Sequence, residues 1–238
     1  VQLPRKAAAP VVAAYNWTGF YIGGHAGYGW SDNDVNLAFV DPGNIVGVAR
    51  TIAAGAIPNR ISLDRSGFVG GGQIGYNYQF NPNWVIGVEA DISFTDWKRT
   101  NTVTTNVPTF FPISTSATQD TDWFGTARLR LGYAASNWLF YGTGGVAFGE
   151  TKYRFSQVTI GGPINIAGTR SSTDVGWAAG GGIEYGWDRW TVRAEYLHFD
   201  LGDESLRVPF AIPGAALLPN FQNKGDIVRV GLNFRFLP

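Results

Sequence analysis

The sequence predicts an all-β fold: an eight-stranded antiparallel up-and-down transmembrane β-barrel with short turns at one end and long loops at the other. Three observations carry this. Apolar residues recur at alternate positions over segments of about ten to fourteen residues, long for globular strands but suited to crossing a bilayer at a tilt. The opposite face holds Gly, Ser, Thr, Asn and Gln with a few Arg and carboxylates, not the Lys and Glu that stud a water-facing sheet. The pair Asn16-Trp17 returns as Asn83-Trp84 and Asn137-Trp138, with Arg189-Trp190 in the equivalent place, which marks repeated hairpin units.

The alternation can be followed strand by strand. In the first, Phe20, Ile22, Ala26, Tyr28 and Trp30 share one face, and Tyr21, His25 and glycines share the other. The second sets Phe68, Ile74, Tyr76, Tyr78 and Phe80 against Gln73, Gly75, Asn77 and Gln79. The third opposes Trp84, Ile86, Val88, Ala90, Ile92 and Phe94 to Glu89, Asp91, Ser93 and Thr95. In the fourth, Trp123, Ala127, Leu129, Leu131 and Tyr133 oppose Thr126, Arg128 and Arg130. The fifth has Trp138, Phe140, Val146 and Phe148 against Tyr141 and Thr143, and the sixth Val175, Trp177, Ile183, Tyr185 and Trp187 against glycines and Glu184. The seventh opposes Trp190, Val192, Ala194 and Tyr196 to Thr191, Arg193 and Glu195. The last opposes Val228, Val230, Leu232, Phe234 and Phe236 to Arg229, Gly231, Asn233 and Arg235.

Tight turns are signalled at Asn81–Asn83, Ala135–Asn137 and Asp188-Arg189. The other connections, roughly 31–66, 98–121, 153–173 and 201–225, are long and rich in Gly, Pro, Asn, Ser and Thr, a lopsidedness expected of a membrane barrel. Trp84, Trp138, Trp187, Trp190, Phe80 and Phe236 would form an aromatic girdle at the short-turn end, where Trp17 also opens the first strand. Trp30, Phe68, Phe94, Trp97, Trp123, Phe148 and Trp177 would form the other. Residues 1–15, Pro- and Ala-rich, read as a periplasmic N-terminal linker, and 16–238 as the barrel. No signal-peptide pattern opens the chain, so any such segment is expected to have been removed.

Composition excludes several function classes. With 18 Lys+Arg against 18 Asp+Glu there is no basic footprint for nucleic acid. Cys is absent, so no disulfide framework or thiolate metal site is available. Only His25 and His198 could serve as imidazole bases or ligands, on different strands and with no motif around them, so no catalytic residue, metal or cofactor is expected. Gly70–Gly72 and Gly180–Gly182 lie inside strands with no helix after them and fail as phosphate loops; relief of crowding is their expected role.

Counted from the short-turn end, Glu89, Asp91, Arg128, Arg130, Glu184, Arg193, Glu195 and Arg229 fall at similar heights on the lumen face. A barrel of eight strands leaves room only for side chains, so these charges must pair with one another. They could form a selectivity ring in a narrow pore or an ion-pair plug; the narrowness favours the plug. Lys98, Arg99, Lys152 and Arg154 lie just beyond the outer girdle, as candidate contacts for lipopolysaccharide phosphates.

The opening YNWTGFYIGGHAGYGW, the segment Glu195–Gly202 and the closing Arg229–Phe236 resemble the small porin-like outer-membrane β-barrels of alphaproteobacteria, an opacity/OmpA-like group. The resemblance covers nearly the whole chain from Tyr15. It implies a bacterial outer-membrane location, contact with outer-membrane lipids, and recognition of Arg229, Gly231, Phe234 and Phe236 by the barrel-assembly machinery. Leu237-Pro238 beyond the last aromatic depart from the family pattern. The functions it implies are porin, surface antigen or envelope stabiliser. The leading expectation is envelope integrity with surface-exposed loops, its rival a narrow porin-like diffusion channel, and the long loops add a third class, an adhesin or ligand-binding surface. The N-terminal linker is placed to reach peptidoglycan.

Overall fold

The computed structural model describes residues 15–40, 54–108, 111–162, 165–210 and 215–236. Within them lie β1 (Gly19–Ser31), β2 (Asp34–Val40), β3 (Arg60–Ser62), β4 (Arg65–Asn81), β5 (Trp84–Thr105), β6 (Ile113–Ala135), β7 (Trp138–Thr159), β8 (Asn165–Trp187), β9 (Trp190–Ser205), β10 (Val208–Pro209) and β11 (Ala216–Phe236). Neighbours run β1-β4-β5-β6-β7-β8-β9-β11, and β11 pairs back on β1 from Phe20↔Phe236 to Trp30↔Asp226. That closes a ring of eight antiparallel strands and leaves no unpaired edge within it facing lipid. The linker, apart from Tyr15, and Leu237-Pro238 lie outside the described residues.

Short turns join β4 to β5, β6 to β7 and β8 to β9. Ser136 and Asp188 adopt positive φ (56° and 47°), as the favoured two-residue hairpin turns require. From these turns the strands rise with an apolar outer face: Phe20, Ile74, Val88, Leu129, Val146, Val175 and Val230 are each at least half exposed. Their partners in the alternation, Gln73, Glu89, Arg128, Glu184 and Arg193, are buried inside. Because Leu129 sits mid-wall on that outer face, Leu129→Arg is expected to destabilise the folded barrel by about 2–4 kcal/mol, read from denaturant titration in lipid vesicles. A water-facing wall would shift by only a few tenths.

The long connections differ from expectation. Much of their described length is not loop but strand: β5 to β8 run 22 or 23 residues, well past the outer girdle. Above that level the two faces exchange character. The outside becomes a hydroxyl ladder, with Thr100 and Thr118 2.9 Å apart, Thr102 to Ser116 3.0 Å and Thr104 to Ser114 3.4 Å. The inside becomes apolar, built from Val35, Ile61, Leu63, Ala117, Tyr153, Phe155, Leu217 and Phe221. Lipid solvates the lower wall and water the upper, so one fold shows membrane patterning below and soluble-protein patterning above. On β6 the exchange is made by an irregularity between Thr121 and Trp123, where one extra residue slips the alternation. On β9 it follows Gly202, whose φ is 81° and which lies at a register shift against β11.

Two tryptophans are misplaced by the sequence pattern. Trp17 does not join the girdle; it is fully buried in the mouth of the barrel. No hairpin turn precedes it, β1 starts only at Gly19 (φ 140°), and the Trp17 amide donates to Gln79 Oε1 at 2.9 Å. Trp97 likewise points inward and is 2% exposed. It lies an odd three residues after the lipid-facing Phe94, so strict alternation sends it inside. There it stacks on Phe199 (5.7 Å, 18°) over Gly29, where a Cβ would lie 1.9 Å from its ring.

Candidate functional site

The lumen is the candidate site, and it is filled in layers. Closest to the short turns, Trp17, Val85, Ala134, Leu139 and Tyr141 pack together, with Tyr15 against them. Arg235 covers this layer, its guanidinium 4.8 Å from the Tyr15 ring.

Above it lies the charged layer. Alternation along β5, β6, β8, β9 and β11 turns Glu89, Asp91, Arg128, Arg130, Glu184, Arg193, Glu195 and Arg229 inward, and the structure brings all eight together. Glu89 is the hub: Arg128 approaches Oε1 at 2.7 Å, Arg193 and Arg130 (3.6 Å) approach Oε2, and Arg229 stands 3.9 Å away. Asp91 is shared by Arg128 and Arg229, each at 2.9 Å. Glu195 accepts from Arg229 Nε at 2.8 Å and lies 2.7 Å from its Nη2 as an ion pair, with Arg128 3.3 Å away. Glu184 accepts from Arg130 at 2.6 Å. Four guanidinium groups thus face four carboxylates, and all eight side chains are at most 2% exposed. Arginine suits this because its planar fork can reach two carboxylates at once, which a lysine ammonium does less well.

Alternation also turns inward a second set that carries hydrogen bonds to these charges. Tyr21 donates to Glu89 at 2.7 Å and Tyr141 to Glu195 at 2.9 Å, while Arg130 lies 3.8 Å over the Tyr141 ring. Thr126 donates to Asp91, and Thr191 and Asn233 donate to Glu184. The signal for the tyrosines was an aromatic on the glycine face, opposite a glycine on the neighbouring wall. A Cβ on Gly75 would lie 2.3 Å from the Tyr21 hydroxyl, so the glycine makes room for the ring. His25 belongs to this set. It bonds Gln73 through Nδ1 and Ser93 through Nε2 at 2.8 Å, and all three are buried.

The next layer is apolar: Val69, Trp97, Phe124, Ala147, Ala178, Leu197, Phe199, Leu201 and Ile227 pack together inside the barrel at the level of the outer girdle. Above it, Arg65 donates to Thr121 at 2.9 Å and Asn223 at 3.2 Å, and Asn223 bridges on to Asp174 at 3.2 Å. The apolar core of the upper extension caps the stack.

The outer-girdle cations are arranged unevenly. Lys98 pairs with Asp120 at 3.3 Å, and Lys152 with Asp122. Arg99 and Arg154 are exposed and make no hydrogen bond or ion pair among the described residues. His198 lies on the outer face, its Nδ1 2.8 Å from Asp226. At the end of the chain Arg229 and Gly231 point inward, while Phe236 is 54% exposed on the lipid face. No group of three or more His, Cys, Asp or Glu suited to a metal occurs among the described residues.

Comparison with known proteins gives these features a family. Residues 6–236 match the outer membrane protein beta-barrel domain. The 31 kDa outer-membrane immunogenic protein of Brucella melitensis is 34% identical over 99% of this chain and 90% of its own length. The 22 kDa outer membrane protein of Rhizobium leguminosarum is 26% identical over 81% of this chain and 68% of its own. Among solved structures, the outer membrane protein OprG from Pseudomonas aeruginosa aligns over 93% of this chain and 97% of its own, at 13% identity and TM-score 0.45. The chain belongs to the outer membrane β-barrel family that includes these alphaproteobacterial proteins, and its place is the bacterial outer membrane.

Proposed function

We propose that this barrel is a non-enzymatic structural component of the cell envelope, with a lumen that is shut and an extracellular extension that presents a surface. The observation that supports it is the stacked filling of the lumen, in which the balanced ion-pair layer is sealed above and below by apolar side chains. A diffusion channel needs a continuous wet path, and each layer interrupts one. Catalysis needs a nucleophile and base open to substrate. Ser93 and His25 are within bonding distance but lie under the Trp97–Phe199 layer, buried on all sides.

Proteoliposomes carrying the protein are expected to swell in a small sugar no faster than protein-free vesicles. Swelling that scales with protein content would replace this reading with the narrow porin-like channel.

A loop-mediated adhesin or ligand-binding role is favoured by one further feature, the upper extension with its own apolar core and hydroxyl-lined exterior. A core of that size holds a surface in fixed shape outside the membrane. The Brucella relative is named for its immunogenicity, which agrees with an exposed extension. Arg99 and Arg154, which have no carboxylate partner among the described residues, are better placed than Lys98 and Lys152 to meet lipopolysaccharide phosphates. The terminal strand, with Arg229, Gly231, Phe234 and Phe236, is the proposed contact for the assembly machinery, and the N-terminal linker for peptidoglycan.

A further inference from the structure

On the wall opposite β6, the outer girdle carries charges arranged differently from those beside Lys98 and Lys152. Lys224 and Asp226 lie two residues apart on the outer face of β11, roughly 6.5–7 Å along the strand. Two donors hold one oxygen of Asp226: the Tyr196 hydroxyl at 2.6 Å and His198 Nδ1 at 2.8 Å. Both reach Oδ1, so no partner of Oδ2 occurs among the described residues, and the Asp226 side chain is 25% exposed. Lys224 is exposed and its ammonium also makes no ion pair there; its cross-strand neighbour Asp200 accepts instead from the Gly202 amide at 2.8 Å. Trp30, the cross-strand neighbour of Asp226, is 38% exposed, and Trp177 packs on His198 with ring centres 5.5 Å apart.

A fixed anion and a free cation this close, framed by indoles at headgroup depth, match a ligand with the opposite order of charge. We propose that this patch binds an amine-phosphate lipid headgroup, its ammonium on Asp226 Oδ2 and its phosphate on Lys224. Phosphoethanolamine has the right sequence of charges and the N–H donors that an unpartnered carboxylate oxygen needs. The aromatic faces add attraction for the ammonium. The site is not catalytic in this arrangement: the nearest hydroxyl, on Tyr196, is already committed to Asp226. Two sources could supply the headgroup, a phosphatidylethanolamine or a lipid A bearing phosphoethanolamine.

The test is lipid retention measured by native mass spectrometry. Protein is released from nanodiscs holding equal amounts of phosphatidylethanolamine, phosphatidylglycerol and phosphatidylcholine with identical acyl chains. The wild type is expected to retain phosphatidylethanolamine about fivefold over either competitor, the scale of one ion pair at an interface. Asp226→Asn should abolish that preference, and Lys224→Gln should lower retention of all three lipids, which share the phosphate; both should keep heat-modifiable gel migration, which reports the folded barrel. Arg60→Gln, on the extracellular strand β3, should leave it unchanged. A parallel arm compares lipid A with and without phosphoethanolamine and identifies the source. Equal retention of all lipids in both arms, or a preference that survives Asp226→Asn, would overturn the proposal.

Discussion

Glu89→Ala is expected to destabilise the folded barrel by about 3–5 kcal/mol, measured from the unfolding midpoint in detergent or lipid. The carboxylate stands among Arg128, Arg130, Arg193 and Arg229, and its removal leaves their charges, on side chains at most 2% exposed, short of a counter-ion. Tyr21 also loses its acceptor. The effect is one of breaking a balance rather than of losing a favourable contact. A buried pair contributes little net free energy once desolvation is counted, but half a pair is strongly unfavourable. The same logic predicts non-additivity at Arg130 and Glu184, which meet at 2.6 Å. Arg130→Leu or Glu184→Leu alone should be more destabilising than the double replacement, and a double-mutant cycle reads the difference. Additive losses would mean that water reaches the layer and that the lumen is wetter than its side chains indicate.

Trp97→Ala is expected to be as severe, at about 3–5 kcal/mol, because it opens a cavity in the apolar layer. The indole is stacked between Phe199 and the space left by Gly29 and Gly67, which carry no side chain to fill the hole. Trp84→Ala provides the comparison. Trp84 is 41% exposed at the opposite girdle, where lipid or water fills the vacated volume, so its loss should be much smaller. Equal effects for the two would place Trp97 on the lipid face after all.

These two residues also show which parts of the fold were legible. Glu89 could be placed in the lumen because alternation is strict along β5 and its charge has no place on a lipid face. The ring of strands, the three tight turns and the outward row from Trp84 to Phe94 follow from the same period-two pattern. Trp97 was misread for a physical reason: an aromatic near a membrane surface invites assignment to the girdle, although its odd spacing from Phe94 turns it inward. Trp17 was misread because the repeat that places Trp84 and Trp138 depends on a preceding turn, which Trp17 lacks. The upper strands were hidden for a third reason. Above the bilayer the solvent outside changes from lipid to water, so the rule linking an apolar residue to the outer face reverses. Tyr153 and Phe155 lie inside while Arg154 lies outside, and a pattern read with one rule looks like loop.

The eight lumen charges could be gathered by height alone, since each lies a similar number of residues from a short turn. Their partners within the layer could not. Pairing across the barrel, such as Arg193 on β9 with Glu89 on β5, depends on which side chains lean toward the axis and which glycines make way. Sequence separation carries no information about that.

Single-channel recording in a planar bilayer bears most directly on the closed lumen. The purified wild-type protein, folded by the gel-shift criterion, is expected to give no discrete conductance steps above the bare bilayer in molar salt. Arg128→Ala with Arg130→Ala should also stay silent, because the apolar layers holding Trp97 and Trp17 are packed without those two side chains. Stable, protein-dependent steps from the wild type would contradict the closed barrel. Steps that appear only in the double variant would make the charged layer the one barrier.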